Sequence, residues 1–165
     1  MSAAPTTKIE KIMIANVHCV TLDMSVRDAI TVLLKNKISG APVIDSSRIV
    51  VSVVSEGDLL KLAASAGLDK KIGACTQKLI KNDKVVTLKR TDSFADAYKI
   101  FLTHPVHRII VTDGSGKLQG IVSRSNVLRL LVDLSAGNSE GTSAGDQAAA
   151  EEAVSEASKT DIKVS

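Results

Sequence analysis

Two short spacings in this chain put a hydroxyl and an acceptor on the first turn of a helix. Ser55-Glu56-Gly57-Asp58 and Ser123-Arg124-Ser125-Asn126 each follow a β-branched run and precede a leucine-rich one. A serine that closes a strand and opens a helix offers its hydroxyl and unpaired backbone N–H groups at a positive dipole end. That place suits a phosphate or a sugar oxygen. The Asp58 carboxylate can accept from two vicinal hydroxyls, each charge-assisted bond contributing about 1.5–3 kcal/mol. Asn126 keeps an acceptor oxygen but lacks the charge, and its amide end is a donor. The same spacing is also a capping box, and it recurs at Ser25/Asp28 and Ser93/Asp96, where no ligand is expected. Spacing alone leaves both readings open.

The elements that must position these residues come in duplicate. Shifted by 68 residues, Ser25–Lys61 falls on Ser93–Arg129 without a gap, and ten of the 37 pairs are identical, including Leu34/Leu102, Val43/Val111, Ser55/Ser123 and Leu60/Leu128. A repeat of this length decides the fold. Upstream, Val20-Thr21-Leu22 matches Val86-Thr87-Leu88 at a shift of 66, which implies two extra residues in the second connection. Each copy reads as strand, helix, strand, strand, helix. Val26, Ala29, Ile30, Leu33 and Leu34 recur at helical spacing, as do Phe94, Ala97, Tyr98, Phe101 and Leu102. Pro42–Ile44 and Ile109–Val111 are short buried strands. Turns at Asp45–Arg48 and Asp113–Lys117 lead into Ile49–Val54 and Leu118–Val122. Helices over 56–66 and 124–134 close the copies. The chain divides into an N-terminal tail (1–8), a first repeat (9–68), a connector (69–77), a second repeat (78–134) and an acidic tail (135–165).

Composition narrows the function classes. No apolar run approaches the roughly 18 residues of a membrane span. The start lacks the layout of a secretory signal, so the cytoplasm is the expected location. Cys19 and Cys75 supply neither a disulfide framework nor a four-thiolate zinc site. One tyrosine, two phenylalanines and no tryptophan argue against stacking platforms for sugars or single-stranded nucleic acid. The tail carries six acids against Lys159 and Lys163, so it holds −4 and residues 1–134 hold +7 of the net +3. A basic body is consistent with an anionic partner. The tail is rich in serine, alanine and glycine and is expected to be disordered or marginally helical. His104-x-x-His107 has a metal-ligand spacing, but Pro105 interrupts it and no third ligand is evident. No nucleophile–base set or Gly-rich phosphate loop stands out, so the chain is not expected to be an enzyme.

Ser39-Gly40-Ala41-Pro42-Val43-Ile44-Asp45 with Val53-Val54-Ser55-Glu56-Gly57-Asp58 resembles a cystathionine-β-synthase (CBS) domain. Val106–Asp113 with Gly120–Asn126 resembles a second one, similar to the repeats in the γ subunit of AMP-activated protein kinase. The resemblance implies an α/β fold of two tandem repeats packed about a pseudo-twofold axis, a Bateman module. Such modules usually dimerise and typically bind adenosine-containing ligands in the clefts between repeats.

On that resemblance AMP, ADP or ATP is the expected ligand and S-adenosylmethionine the next, with a ligand-free interaction module as the rival. No obligatory cofactor or metal is implied; a homodimer and an effector protein are. Ser55 and Asp58 would meet the ribose, as would Ser123 and Asn126 in the second copy. Ile38, Ala41 and Pro42 would wall the adenine. His107, Arg108 and Arg124 would meet phosphate, a task suited to the planar arginine fork. Thr21 and Thr87 complete the set. Ser52 stands where the second copy has Gly120, so a ligand needing that space would find the first site crowded.

Overall fold

In both repeats a short strand, a serine-capped helix, an antiparallel hairpin and a second serine-capped helix follow one another, as the duplicated pattern predicts. The computed structural model describes residues 6–79 and 85–136. The tail expectation falls on 137–165, outside that range. The first repeat contains β1 (Val20–Thr21), α1 (Val26–Lys35), β2 (Gly40–Ile44), β3 (Val50–Ser55) and α2 (Glu56–Ala66). A 3-10 turn (Ile72–Cys75) and a single helical turn, α3 (Thr76–Leu79), lead out of it. The second repeat contains β4 (Thr87–Leu88), α4 (Phe94–Thr103), β5 (Arg108–Thr112), β6 (Leu118–Ser123) and α5 (Arg124–Ser135). Two three-stranded sheets result, ordered β1-β2-β3 and β4-β5-β6, with the first pair parallel and the second antiparallel.

Each sheet buries one face under its own helices. Val20, Val43 and Val54 meet Val26, Ala29, Leu33, Leu59 and Leu62 in the first core; Leu88, Val111 and Val122 meet Phe94, Ala97 and Val127 in the second. Full burial of side chains this size contributes about 1.5–3 kcal/mol each. Both hairpins turn on an aspartate. Asp113 Oδ1 accepts from the backbone N–H of Ser115 and Lys117, at 2.9 and 3.0 Å, and Asp45 Oδ1 accepts from Ser47 and Ile49 at 2.9 Å each. The turn then needs a left-handed residue. Gly116 fills it at φ 84° and Arg48 at φ 64°.

The register corrects the alignment of the first strands. Val20 pairs with Val43, and Leu88 pairs with Val111. Val43 and Val111 are themselves 68 residues apart, so Val20 corresponds to Leu88 and the shift of 68 runs through the whole repeat without two extra residues. Thr21 beside Ile44 and Thr87 beside Ile110 are therefore not equivalent. Two-residue strands carry too little pattern to reveal their register; the hairpin they join decides it.

Equivalent residues also mark where the copies meet. Ile49 and Lys117 form an antiparallel bridge, with Val50 N–H donating to Gly116 O at 3.1 Å and Leu118 N–H to Arg48 O at 3.0 Å. Each partner is the other's counterpart at a shift of 68, which puts the pseudo-twofold axis through this bridge. Ile44, Ile110 and Leu118 are buried together beside it, with Val50, Val53 and Ile121 packed against them.

The segments outside the repeats are exchanged between them. Ile72 N–H donates to Met24 O at 2.9 Å and Val26 N–H to Lys70 O at 2.9 Å, so the connector closes the first repeat. The same contacts in the second repeat come from the start of the chain: Ile9 N–H to Asp92 O at 2.8 Å and Phe94 N–H to Thr7 O at 2.8 Å. Ile72 and Ile9 are completely buried, in the first and second cores respectively. The division at residue 9 that reads along the chain thus differs from the division by packing, and the connector is part of a core.

Two outcomes are expected. Arg48→Gly relieves about 1–2 kcal/mol of left-handed strain and loses about 0.5–1 kcal/mol to backbone entropy, for a net gain of about 0.5–1 kcal/mol. A higher urea midpoint checks it; an unchanged or lower one contradicts it. Ile9→Ala should cost about 2–5 kcal/mol and should loosen amide exchange in α4 and β5 before β2 and β3. Loosening that begins in the first repeat would refute the exchange.

Candidate functional site

Gly40 opens β2 opposite Ser55, the last residue of β3. A side chain at Gly40 would not fit, because a Cβ there would lie 2.8 Å from Val54 O. Glu56 N–H donates to Ser39 O at 3.0 Å, which ties the start of α2 to the chain entering β2. Ser55 caps α2. Its Oγ accepts from Asp58 N–H at 3.2 Å, while Asp58 Oδ2 accepts from Ser55 N–H at 2.9 Å and from Ser55 Oγ at 2.6 Å. Ala41 and Pro42 are buried behind this end of the strand, and half-buried Ile38 packs on the first core. Ser55, Asp58, Ile38, Ala41 and Pro42 therefore converge on one sheet end.

The cation at this end comes from the other repeat. Arg108, the first residue of β5, donates from Nη1 to Gly40 O at 2.6 Å. Gly40 and Arg108 are counterparts at a shift of 68, so this contact too lies at the pseudo-twofold axis. The two repeats are thereby made unequal at the axis, since one supplies a guanidinium where the other has no side chain. Arg108 pairs across the hairpin with Ser123. Ser123 caps α5 in the same manner, with Asn126 Oδ1 accepting from Ser123 N–H at 2.8 Å and Ser123 Oγ at 2.7 Å. Asn126 is buried; His107 and Arg124 are exposed.

Three expectations are placed differently. Thr21 lies beside Ile44, four residues along β2 from Gly40 and so about 13 Å away, and its hydroxyl donates to Asp23 Oδ1 at 2.5 Å. The exposed Thr87 sits beside Ile110, nearer the Arg108 end of its sheet, so the threonines do not form a matched pair. Gly120 is small because the start of the chain crosses it: a Cβ would meet Ile14 O at 2.8 Å and Met13 Sδ at 2.9 Å. The glycine serves packing, and Ser52 in the first repeat, itself buried, says nothing about ligand room. Among the described residues no three His, Cys, Asp or Glu gather as a metal site, and no helix is long and apolar enough to cross a membrane. Gly40 was the site residue that sequence reading passed over; its pairing with Arg108 in the repeat alignment was the available signal.

The capping motif has an electrostatic consequence. Hydrogen bonds from the side chain and backbone of Ser25 hold the Asp28 carboxyl below its ordinary value of 3.8, and those of Ser93 do the same for Asp96. The unfolded chain therefore takes up these protons first. The stabilisation is complete above pH 3.8 and is lost as pH falls through the lowered folded-state values. Asn126 shows that an amide oxygen holds the same bonds without titrating. Asp28→Asn with Asp96→Asn should accordingly flatten the acid decline of the urea midpoint below pH 3.8. A double variant that follows the wild-type decline would exonerate the caps.

Comparison with known proteins places this geometry. The family model of the CBS domain matches residues 9–65 and again 79–133. MJ1232, an uncharacterized protein of Methanocaldococcus jannaschii, is 27% identical over 131 residues, covering 79% of this chain and 42% of that protein. The chloroplastic CBS domain-containing protein CBSX2 of Arabidopsis thaliana is 32% identical over 143 residues, covering 72% of this chain and 60% of that protein. The chain thus spans about two-fifths to three-fifths of these curated relatives. A crystal structure of CBSX2 in complex with AMP superposes with a TM-score of 0.65 at 30% identity, over 78% of this chain and 98% of that one. MJ1004 of M. jannaschii superposes at 0.69 with 26% identity, over 78% of this chain and 60% of that one.

Proposed function

The chain belongs to the CBS-domain family, as a tandem pair, and from that premise we propose that it is a regulatory protein that binds an adenine nucleotide where the repeats meet. Arg108 carries this reading. Its guanidinium crosses to the first repeat and bonds Gly40 O at 2.6 Å, at the sheet end where the serine-capped start of α2 also lies. A fixed cation beside a helix N-terminus suits a phosphate. Asp58 then takes the ribose hydroxyls, Ile38 and Pro42 wall the adenine while Ala41, buried in the first core, lies behind them, and His107 assists Arg108. The AMP held in the related CBSX2 structure supports the same ligand class. Binding acts on a partner by changing the relation of the repeats or of a homodimer. Exposed leucines at matched positions of the two repeats support the dimer.

Asp58→Asn separates ribose recognition from capping, because Asn126 holds an equivalent cap through an amide oxygen. As a ribose ligand Asp58 contributes about 1.5–3 kcal/mol, so the variant should bind AMP roughly ten- to a hundredfold more weakly. Its preference for AMP over the 2′-deoxy nucleotide should shrink. Arg108→Ala should penalise AMP and leave adenosine nearly unaffected. Calorimetric titration of AMP, deoxy-AMP and adenosine checks all three. If Asp58→Asn binds AMP as tightly as the wild type, the carboxylate is only a cap.

A further inference from the structure

Three positions around the axial contact break the repeat, and all in the same direction. Gly40, Glu56 and Asp58 of the first copy are replaced, at the shift of 68, by Arg108, Arg124 and Asn126. The first turn of α2 therefore carries two carboxylates, whereas the first turn of α5 carries no acid. Arg124 is exposed at a helix start, where a cation opposes the dipole, so its charge does not serve the helix. A continuous line joins the two helix starts. Ser55 pairs with Gly40, Arg108 Nη1 donates to Gly40 O at 2.6 Å, and Arg108 pairs with Ser123. Two strand spacings and one arginine side chain thus separate the caps. The start of α2 has the charged acceptor that suits a diol, but Glu56 beside it would repel a phosphate. The start of α5 has the cations, but its acceptor is neutral and buried, since Asn126 is only 9% exposed while Asp58 is partly open to solvent.

We propose that the starts of α2 and α5 are the two halves of one site, so that the chain takes a single nucleotide across the axis and not one at each repeat. Asp58 holds the ribose diol from the first repeat, and Arg108 with Arg124 holds the phosphate from the second. Duplication alone would give two matched sites. The substitutions at these three positions have instead left the carboxylate on one side and the cations on the other. A second nucleotide, turned about the axis, would bring its phosphate to Gly40 and Glu56 and its ribose to the neutral Asn126. The inference rests on the nucleotide reading above and adds the stoichiometry and the division of labour between the repeats.

Calorimetric titration of AMP against the wild type, Arg124→Ala and Asn126→Asp tests it, with a urea midpoint for each variant. The wild type should take up one AMP per chain. Arg124→Ala should weaken that event roughly tenfold, the loss of one exposed charge-assisted contact. Its urea midpoint should hold, because the side chain is exposed and opposes the dipole, so the loss is one of contact and not of folding. Asn126→Asp gives the second helix start the carboxylate of the first and should still take up one AMP, since no cation crosses from Gly40. Two AMP per chain, in the wild type or in Asn126→Asp, overturns the single site and leaves the nucleotide reading standing. An Arg124→Ala variant that binds AMP as tightly as the wild type does the same. A wild type that takes up no AMP overturns both.

Discussion

The antiparallel bridge between Ile49 and Lys117 sets the relation on which every shared feature of the molecule depends. Two residues at equivalent positions of the repeats are joined by backbone contacts through Val50, Gly116, Leu118 and Arg48, and a local twofold follows from that pairing. Once the hairpin tips are joined in this way, the packed Ile44, Ile110 and Leu118 hold the sheets at one angle. The opposite ends of β2 and β5 are then brought close enough for Arg108 to reach Gly40. The first repeat has a capped helix start and an apolar strand end but no guanidinium there, and the second repeat supplies it across the axis. That arrangement is a property of the pair.

Closure of the pair is reinforced by exchange. Each repeat lacks one buried isoleucine and the backbone donor and acceptor that fasten the start of its first helix. The connector supplies them to the first repeat through Ile72, and the beginning of the chain supplies them to the second through Ile9. A small domain buries a modest share of its surface, so an added segment with a fully buried side chain is a substantial part of its core. The repeats are consequently coupled through covalent segments as well as through the sheet contact.

Duplication makes the individual roles readable, because a difference between counterparts isolates what one side chain does. Arg48 and Gly116 differ in strain at the same left-handed turn. Asp58 and Asn126 share a cap and differ in charge. Ser52 and Gly120 differ because the start of the chain crosses only the second. Gly40 and Arg108 differ in the supply of a cation, and Glu56 and Arg124 in the sign of an exposed one. Where the counterparts agree, as in the serine caps of all four long helices, the shared role is structural. Function is to be sought where they diverge.

The sequence by itself determined the repeat, the order of elements, the starts of the capped helices and the aspartate turns. Each of these rests on contacts between residues a few positions apart, or on a pattern that recurs whole at 68 residues. It also brought Ser55, Asp58, Ile38, Ala41 and Pro42 to one place, because they flank a single hairpin. Tertiary structure alone decided the register of β1 and β4, and with it that Thr21 and Thr87 are not partners. It decided the exchange of Ile9 and Ile72, the reason for Gly120, and which leucines stay exposed. It decided that the Arg108 guanidinium reaches Gly40 of the first repeat. These depend on residues roughly 20 to 110 positions apart meeting across the sheets and the axis, and a two-residue strand or a single arginine carries no local signal of what it will meet there.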